Sequence, residues 1–191
     1  MRHKAGSSAE SDAPYVGDLP ARIILTGFMG TGKTAIGLAL SRVVKRPFVD
    51  LDRVIESSEG CSVAEIFARG GEEAFRALEA REAARVARLP GTVIATGGGT
   101  LLFDAARDAL LGDGARVFVL TASADALEKR LAPIRAQRPL LAGGGDLRAR
   151  IEALLAERAA RYASLGETID TSERAVPDVV AEILARLGAA V

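Results

Sequence analysis

The sequence predicts an α/β fold in three layers, a parallel β-sheet covered on both faces by helices. Three observations predict it. Short aliphatic runs alternate with segments of helical spacing, a glycine-rich turn follows the first run and leads into a helix, and the polar residues suited to chemistry fall where the runs end. Alternating β and α elements bury a parallel sheet between helical layers, and ligands of such sheets sit beyond the carboxyl ends of the strands.

The first aliphatic run, Arg22–Thr26, is rich in Ile and Leu and suits a buried strand. The segment Lys33–Val44 that follows the glycine-rich turn carries Ile36, Leu40 and Val43 at helical spacing. Pro47–Leu51 reads as a second strand. Ser62, with Glu65 three residues on, forms a capping box and starts a helix. Gly70–Gly71 interrupts that helix, and a second runs on to about Arg88 with Phe75, Leu78 and Val86 available for packing. Thr92–Thr96 is the third strand and ends at three consecutive glycines, 97–99. Ala115–Leu120 is the fourth strand and Glu167–Asp170 a short fifth. Between two helical patterns, Pro133 to Gly145 holds two prolines, two arginines and three consecutive glycines, the composition of a mobile flap.

Composition bounds the chemistry. The chain has 191 residues, 49% hydrophobic and 26% charged, which suits one soluble domain with an aliphatic core. Lysine plus arginine equal aspartate plus glutamate, so no basic excess marks a nucleic-acid binder. A single cysteine excludes an internal disulfide and suits a reducing compartment, and a single histidine, His3, leaves no His-based acid–base or zinc chemistry. Residues 1–20 are polar and small, without the apolar run of a signal peptide, and no stretch is apolar enough to span a membrane. The expectation is a flexible extension over 1–20, a single domain over 21–191, and a cytoplasmic protein that acts as a monomer.

Residues 27–34, GFMGTGKT, match the phosphate-cradle pattern G-x-x-x-x-G-K-[ST]. Glycines let backbone amides curl around phosphate, and the helix that follows presents its positive end to the anion. Gly30, Thr31, Gly32, Lys33, Thr34 and Ala35 are the expected nucleotide contacts. Lys33 reaches the β- and γ-phosphates, and the Thr34 hydroxyl is placed to ligate Mg²⁺. The pattern follows a strand and precedes a helix, as the mechanism requires. Neither D-x-x-G nor N-K-x-D occurs in the chain, so ATP rather than GTP is the expected donor.

Other candidates are weaker one at a time. Asp50 and Asp52, read as alternate residues of an extended strand end, point the same way and can serve a metal water shell and an acceptor hydroxyl. Taken alone they also read as solvated strand-end aspartates. Arg76 and Glu79 lie i, i+3 on one helix face, which alone reads as a surface ion pair. Ile151, Leu155, Arg158 and Tyr162 share one helix stripe; a guanidinium on an inward stripe needs an anionic partner, unless it snorkels at the edge. Arg138 in the flap can swing over a transferring phosphoryl group.

Together these segments resemble the shikimate kinase family. The resemblance rests on GFMGTGKT at 27–34, FVDLD at 48–52, I-F-x-x-x-G-E-x-x-F-R-x-x-E from Ile66 to Glu79, ATGGG at 95–99, RPLL at 138–141 and E-R-x-x-x-Y at 157–162, in order over about residues 22–187. It implies a P-loop kinase fold with a five-stranded parallel sheet and a mobile lid at about 133–145. It also implies ATP-dependent phosphorylation of the 3-hydroxyl of shikimate, in chorismate and aromatic amino-acid biosynthesis. By motif, Lys33 binds phosphate, Thr34 ligates Mg²⁺ and Asp50 supports the metal. Asp52 engages shikimate hydroxyls and is the candidate base. Arg76 and Arg158 clamp the carboxylate, Glu79 orients Arg76, Gly98 and Gly99 present backbone amides, and Arg138 acts on the phosphates from the lid. Arg130 stands where the family often stacks an arginine on the base, and the loop Asp170–Pro177 closes over the adenine. The rival readings are another small-metabolite kinase, such as a gluconate kinase, and a non-catalytic nucleotide-binding protein.

Overall fold

The computed structural model describes residues 19–112, 114–141 and 145–188. Five strands form one parallel sheet: β1 (Arg22–Gly27), β2 (Phe48–Asp50), β3 (Thr92–Ala95), β4 (Ala115–Thr121) and β5 (Glu167–Asp170), in the spatial order β2-β3-β1-β4-β5. In register, Arg22 to Leu25 of β1 face Thr92 to Ala95 of β3 on one side, and Arg22 to Gly27 face Ala115 to Leu120 of β4 on the other. All five strands stand close to their expected positions.

Alternation along β1 separates two cores. Ile23 and Leu25 pack with Phe118, Leu120 and Ile169 against α1 (Lys33–Val43) and α7 (Val176–Arg186). Ile24, with Ile94, Val117 and Val119, packs on the opposite face. That face is covered by α2 (Leu51–Glu59), α3 (Val63–Val86), α4 (Asp104–Leu110), α5 (Ala124–Leu131) and α6 (Leu147–Leu165). The three central strands β1, β3 and β4 are therefore apolar on both sides, which is why their aliphatic runs are legible; the edge strand β5 buries Ile169 alone.

The chain after β1 runs through α1 to the edge strand β2, whereas the chain after β3 runs through α4 to β4 on the other side. Neighbouring strands that send their chains opposite ways open a crevice at their carboxyl ends. Into it project the loop after β1, the start of α2 after β2, and the glycines after β3.

One local expectation is corrected. The second strand ends at Asp50 rather than Leu51, and α2 follows it at once. The cause is a cap: the Asp50 carboxylate accepts from the Arg53 amide at 3.4 Å, while Leu51 and Ile55, one turn apart, are fully buried. Asp52 is thus a first-turn helix residue, and the extended-strand reason for pairing it with Asp50 fails. The Ser62–Glu65 capping box is present, and the expected interruption at Gly70–Gly71 stands as a kink that divides α3, Gly71 leaving the helical region at φ 70 and ψ −171. The expected extension over 1–20 lies outside the described residues up to 18. Leu19 and Pro20 are held to the domain, their carbonyls accepting from Arg46, and Leu19 packs on the α1–α7 core. Of the flap, Ala132–Gln137 is a 3₁₀ turn whose Arg135 donates to the carbonyls of Leu141 at 2.9 Å and Gly145 at 3.1 Å; 142–144 lie outside the described residues.

Candidate active site

Two adjoining clefts occupy the crevice. The first, of about 730 Å³, runs along the phosphate-cradle loop and is lined by Gly30, Gly32, Lys33, Thr34, Ala35, Asp50, Asp52, Gly98 and Arg138, among others. The second, of about 480 Å³, is lined by Asp52, Arg76, Glu79, Arg138, Arg158 and the glycines 97–99, with an apolar wall of Val63, Phe67, Phe75 and Leu140. Asp52, Gly98 and Arg138 belong to both. A donor in the first cleft and an acceptor in the second would meet at these residues.

In the cradle, Lys33 Nζ donates to the carbonyls of Gly27 and Phe28, each at 2.8 Å. Burial lowers its pKa to about 8 against the pull of Asp52, with Arg138 lowering it further and Asp50 raising it. The Thr34 hydroxyl donates to Asp50 Oδ2 at 2.6 Å, at the N-terminal cap of α2. The Thr31 side chain is fully buried and bonds back to the Phe28 carbonyl at 2.8 Å, so only its backbone can serve a ligand.

Asp52 Oδ1 is buried with no hydrogen-bond partner among the described residues. Burial, then Asp50 and Glu79, push its pKa up to about 6, against Lys33 and Arg138. Two of the three glycines make room for neighbouring side chains. A Cβ on Gly97 would stand 2.8 Å from both Asp52 Oδ1 and Glu79 Oε1, and one on Gly99 would stand 2.9 Å from Arg76 Nη2. The bare backbone after β3 is what lets two carboxylates and a guanidinium converge.

Arg76 and Glu79 do not form the surface pair that their spacing alone suggested. Glu79 is fully buried; it accepts from Arg76 Nη1 at 2.6 Å and from the Thr100 hydroxyl. Arg76 is held further by Glu72 at 2.7 Å and lies over the rings of Phe103 at 4.3 Å and Phe75 at 5.3 Å. The stripe on α6 faces inward: Ile151, Arg158 and Tyr162 are buried, but Leu155 is only partly so, and Leu154 is the buried leucine of that turn. Arg158 is only 7% exposed, yet its Nη1 has no partner among the described residues. The Tyr162 hydroxyl donates to the Gly98 carbonyl. An unpaired buried guanidinium nitrogen and an unpaired buried carboxylate oxygen line one cleft, an arrangement that is costly unless a ligand completes it.

Arg130 spans two loops. Its guanidinium donates to the Gly30 carbonyl at 3.2 Å, the Thr171 carbonyl at 2.6 Å and the Ser172 carbonyl at 2.8 Å. It ties the cradle to the β5–α7 loop, which runs over part of the expected adenine loop Asp170–Pro177.

The profile of the family described as Shikimate kinase matches residues 29–188. A shikimate kinase of Symbiobacterium thermophilum is 43% identical over 166 residues, covering 86% of this chain and 95% of its own. The chain belongs to the shikimate kinase family. A shikimate kinase from Acinetobacter baumannii in complex with shikimate superposes with a TM-score of 0.83 at 31% identity, covering 89% of this chain and 93% of its own. A gluconokinase from Sinorhizobium meliloti shares the fold at a TM-score of 0.57 and 20% identity. The chain is therefore a P-loop phosphotransferase of the shikimate kinase family, and ATP is the family's co-substrate.

Within this shikimate kinase frame, sequence reasoning missed several residues of the crevice. Thr100 and Phe103 follow the glycine triplet and hold Glu79 and Arg76, but neither carries a pattern of its own. Tyr162 stood in plain view, four residues from Arg158 on the same stripe. Among the described residues no helix is long and apolar enough to cross a membrane, and no cluster of three or more His, Cys, Asp or Glu could hold a metal by itself.

Proposed function

We propose that this chain transfers the γ-phosphoryl group of ATP to the 3-hydroxyl of shikimate, giving shikimate 3-phosphate and ADP, a step of chorismate and aromatic amino-acid biosynthesis. The observation that carries this reading is Arg158 Nη1, buried and unpartnered in a cleft that also holds the unpartnered Asp52 Oδ1 and opens onto the phosphate cradle. A small acid with hydroxyl groups satisfies both at once.

Shikimate enters with its carboxylate on the forks of Arg158 and Arg76, whose planar donors match two carboxylate oxygens. Glu79, Glu72 and Phe103 keep Arg76 aimed, and the amides of Gly98 and Gly99 face the substrate. The acceptor hydroxyl then lies at Asp52. At neutral pH a carboxyl with a pKa of about 6 is ionised, so Asp52 can orient the hydroxyl and accept its proton. The bond from O3 to the γ-phosphorus forms, the bond from that phosphorus to the β–γ bridging oxygen breaks, and ADP leaves with the electron pair. Lys33 exchanges the carbonyls of Gly27 and Phe28 for the phosphate oxygens, and Arg138, placed between the clefts, spreads the charge of the transferring group. Arg130 borders the base.

The hard oxygens of Thr34 and Asp50, 2.6 Å apart, fit Mg²⁺, which typically takes one or two protein oxygens and completes its shell with water and phosphate. Held by Thr34 and Asp50, Mg²⁺ would supply charge neutralisation to the nucleotide phosphates. We further infer a cytoplasmic monomer with no nucleic-acid or membrane partner, in keeping with zero formal net charge.

The test is ADP release in a coupled assay, with Mg-ATP and shikimate, gluconate or no acceptor, and with EDTA as a further arm. Shikimate-dependent and EDTA-sensitive release is expected. Faster release with gluconate would contradict the substrate assignment, and nucleotide binding without turnover would favour the non-catalytic reading.

A further inference from the structure

Beyond the cradle and the acceptor cleft lies a buried hydroxyl that joins three elements. Thr171 follows β5 and is 2% exposed. Its Oγ1 stands 3.1 Å from the Thr31 carbonyl, 2.9 Å from the Thr121 carbonyl and 3.2 Å from Arg130 Nη1. A threonine hydroxyl has one proton to give and lone pairs to accept. Arg130 can only donate, so it occupies a lone pair and turns the proton away from itself. The Thr121 carbonyl already accepts the Thr171 amide at 2.9 Å. The Thr31 carbonyl is the acceptor that depends on the hydroxyl.

That carbonyl belongs to the peptide leading into Gly32. In a trans peptide the C=O of one residue and the N–H of the next point opposite ways. Holding the Thr31 carbonyl down onto Thr171, beneath the loop, turns the Gly32 N–H up toward the cleft that Gly32 lines. The same Arg130 holds the Gly30 carbonyl one peptide earlier at 3.2 Å.

We propose that Thr171 is a positioning residue for nucleotide binding: its hydroxyl fixes the Thr31–Gly32 peptide so that the Gly32 amide faces phosphate, and through Arg130 it couples the cradle to the β5–α7 loop. The proposal rests on the cradle binding nucleotide, as read above. The hydroxyl is remote from the acceptor cleft, so its effect falls on one substrate only.

The experiment titrates ADP and shikimate separately into the wild type, T171V and T171S, with KM for ATP and for shikimate measured alongside. Valine keeps the shape and removes the hydroxyl; serine keeps the hydroxyl. Loss of one buried hydrogen bond predicts ADP affinity and KM for ATP worse by about tenfold in T171V, with shikimate binding unchanged and T171S near the wild type. If T171V does not fold, T171A against T171S isolates the same hydroxyl. Wild-type ADP affinity in T171V, or equal loss for both ligands, overturns the proposal. Lys33→Ala separates the two claims: if it weakens ADP binding while T171V does not, the cradle stands and the positioning role falls, and if the wild type binds no ADP, both fall.

Discussion

Replacing Asp52 with Asn should make the ligand-free protein more stable and the enzyme far slower. Burial, with Asp50 and Glu79 nearby, raises the Asp52 pKa to about 6 from an ordinary value of 3.8. A carboxyl whose folded pKa is raised binds more protons folded than unfolded between those values. Stability from this group is therefore full below pH about 4, falls as pH rises through 4 to 6, and is lowest above 6. At about 1.4 kcal/mol per unit the shift costs roughly 3 kcal/mol at neutral pH. Partial access to water in the open cleft, and the loss of a counter-charge for Lys33 and Arg138, reduce the gain from an uncharged amide to about 1–2 kcal/mol. For a domain of this size that is an increase in Tm of about 2–8 °C. Turnover moves the other way: losing the group that orients and deprotonates the hydroxyl should lower kcat by at least about 100-fold, with ADP affinity preserved. Calorimetric melting at pH 7.5, steady-state kinetics and ADP titration read all three quantities. An Asn variant that melts earlier and turns over normally would refute both the electrostatic argument and the role assigned to Asp52.

Other expectations follow from the same geometry. The pH profile of kcat/KM should be bell-shaped, rising through about 6 as Asp52 ionises and falling through about 8 as Lys33, its pKa lowered chiefly by burial, loses its proton; a flat profile between 5 and 9 would contradict it. Arg158→Ala should raise KM for shikimate by about 10- to 100-fold, the range for a charged hydrogen-bonded pair worth ~1.5–3 kcal/mol, and Arg158→Lys should recover only part of it; an unchanged KM would mean the unpartnered nitrogen serves no carboxylate. Gly97→Ala places a methyl 2.8 Å from Asp52 Oδ1 and Glu79 Oε1; calorimetric titration should find shikimate binding lost and ADP binding kept, and intact shikimate affinity would show that the carboxylates do not need that space.

The fold was legible because the central strands β1, β3 and β4 are apolar on both faces, so that RIILT and TVIAT stood out as runs, and because Ser62–Glu65 and the glycine turns punctuate the helices. The cradle was legible for a similar reason: its chemistry is carried by a contiguous backbone. What could not be read was the first turn of α2. FVDLD alternates like a strand, and only the Asp50 side chain capping the Arg53 amide makes Leu51 helical. Asp52 nevertheless lies in the crevice, placed there by a helix rather than by a pleat. Glu79 shows a second limit. Its i, i+3 spacing from Arg76 is common to exposed pairs, and its burial depends on Thr100 and the glycine triplet, which lie in a different segment of the chain. Thr171 shows a third. A lone threonine after a short strand has no pattern, and its importance arises from long-range bonds to Thr31 and Thr121.

Direct observation of the transferred group is the decisive experiment. The protein would be mixed with Mg-ATP and shikimate and followed by phosphorus NMR through a single turnover, with 3-deoxyshikimate as the control acceptor. A new phosphomonoester signal on C3 of shikimate, appearing in step with ADP and absent with the control, is the result expected here. Inorganic phosphate in place of the ester, or phosphorylation at another hydroxyl, would contradict the geometry argued from Asp52, Arg76 and Arg158.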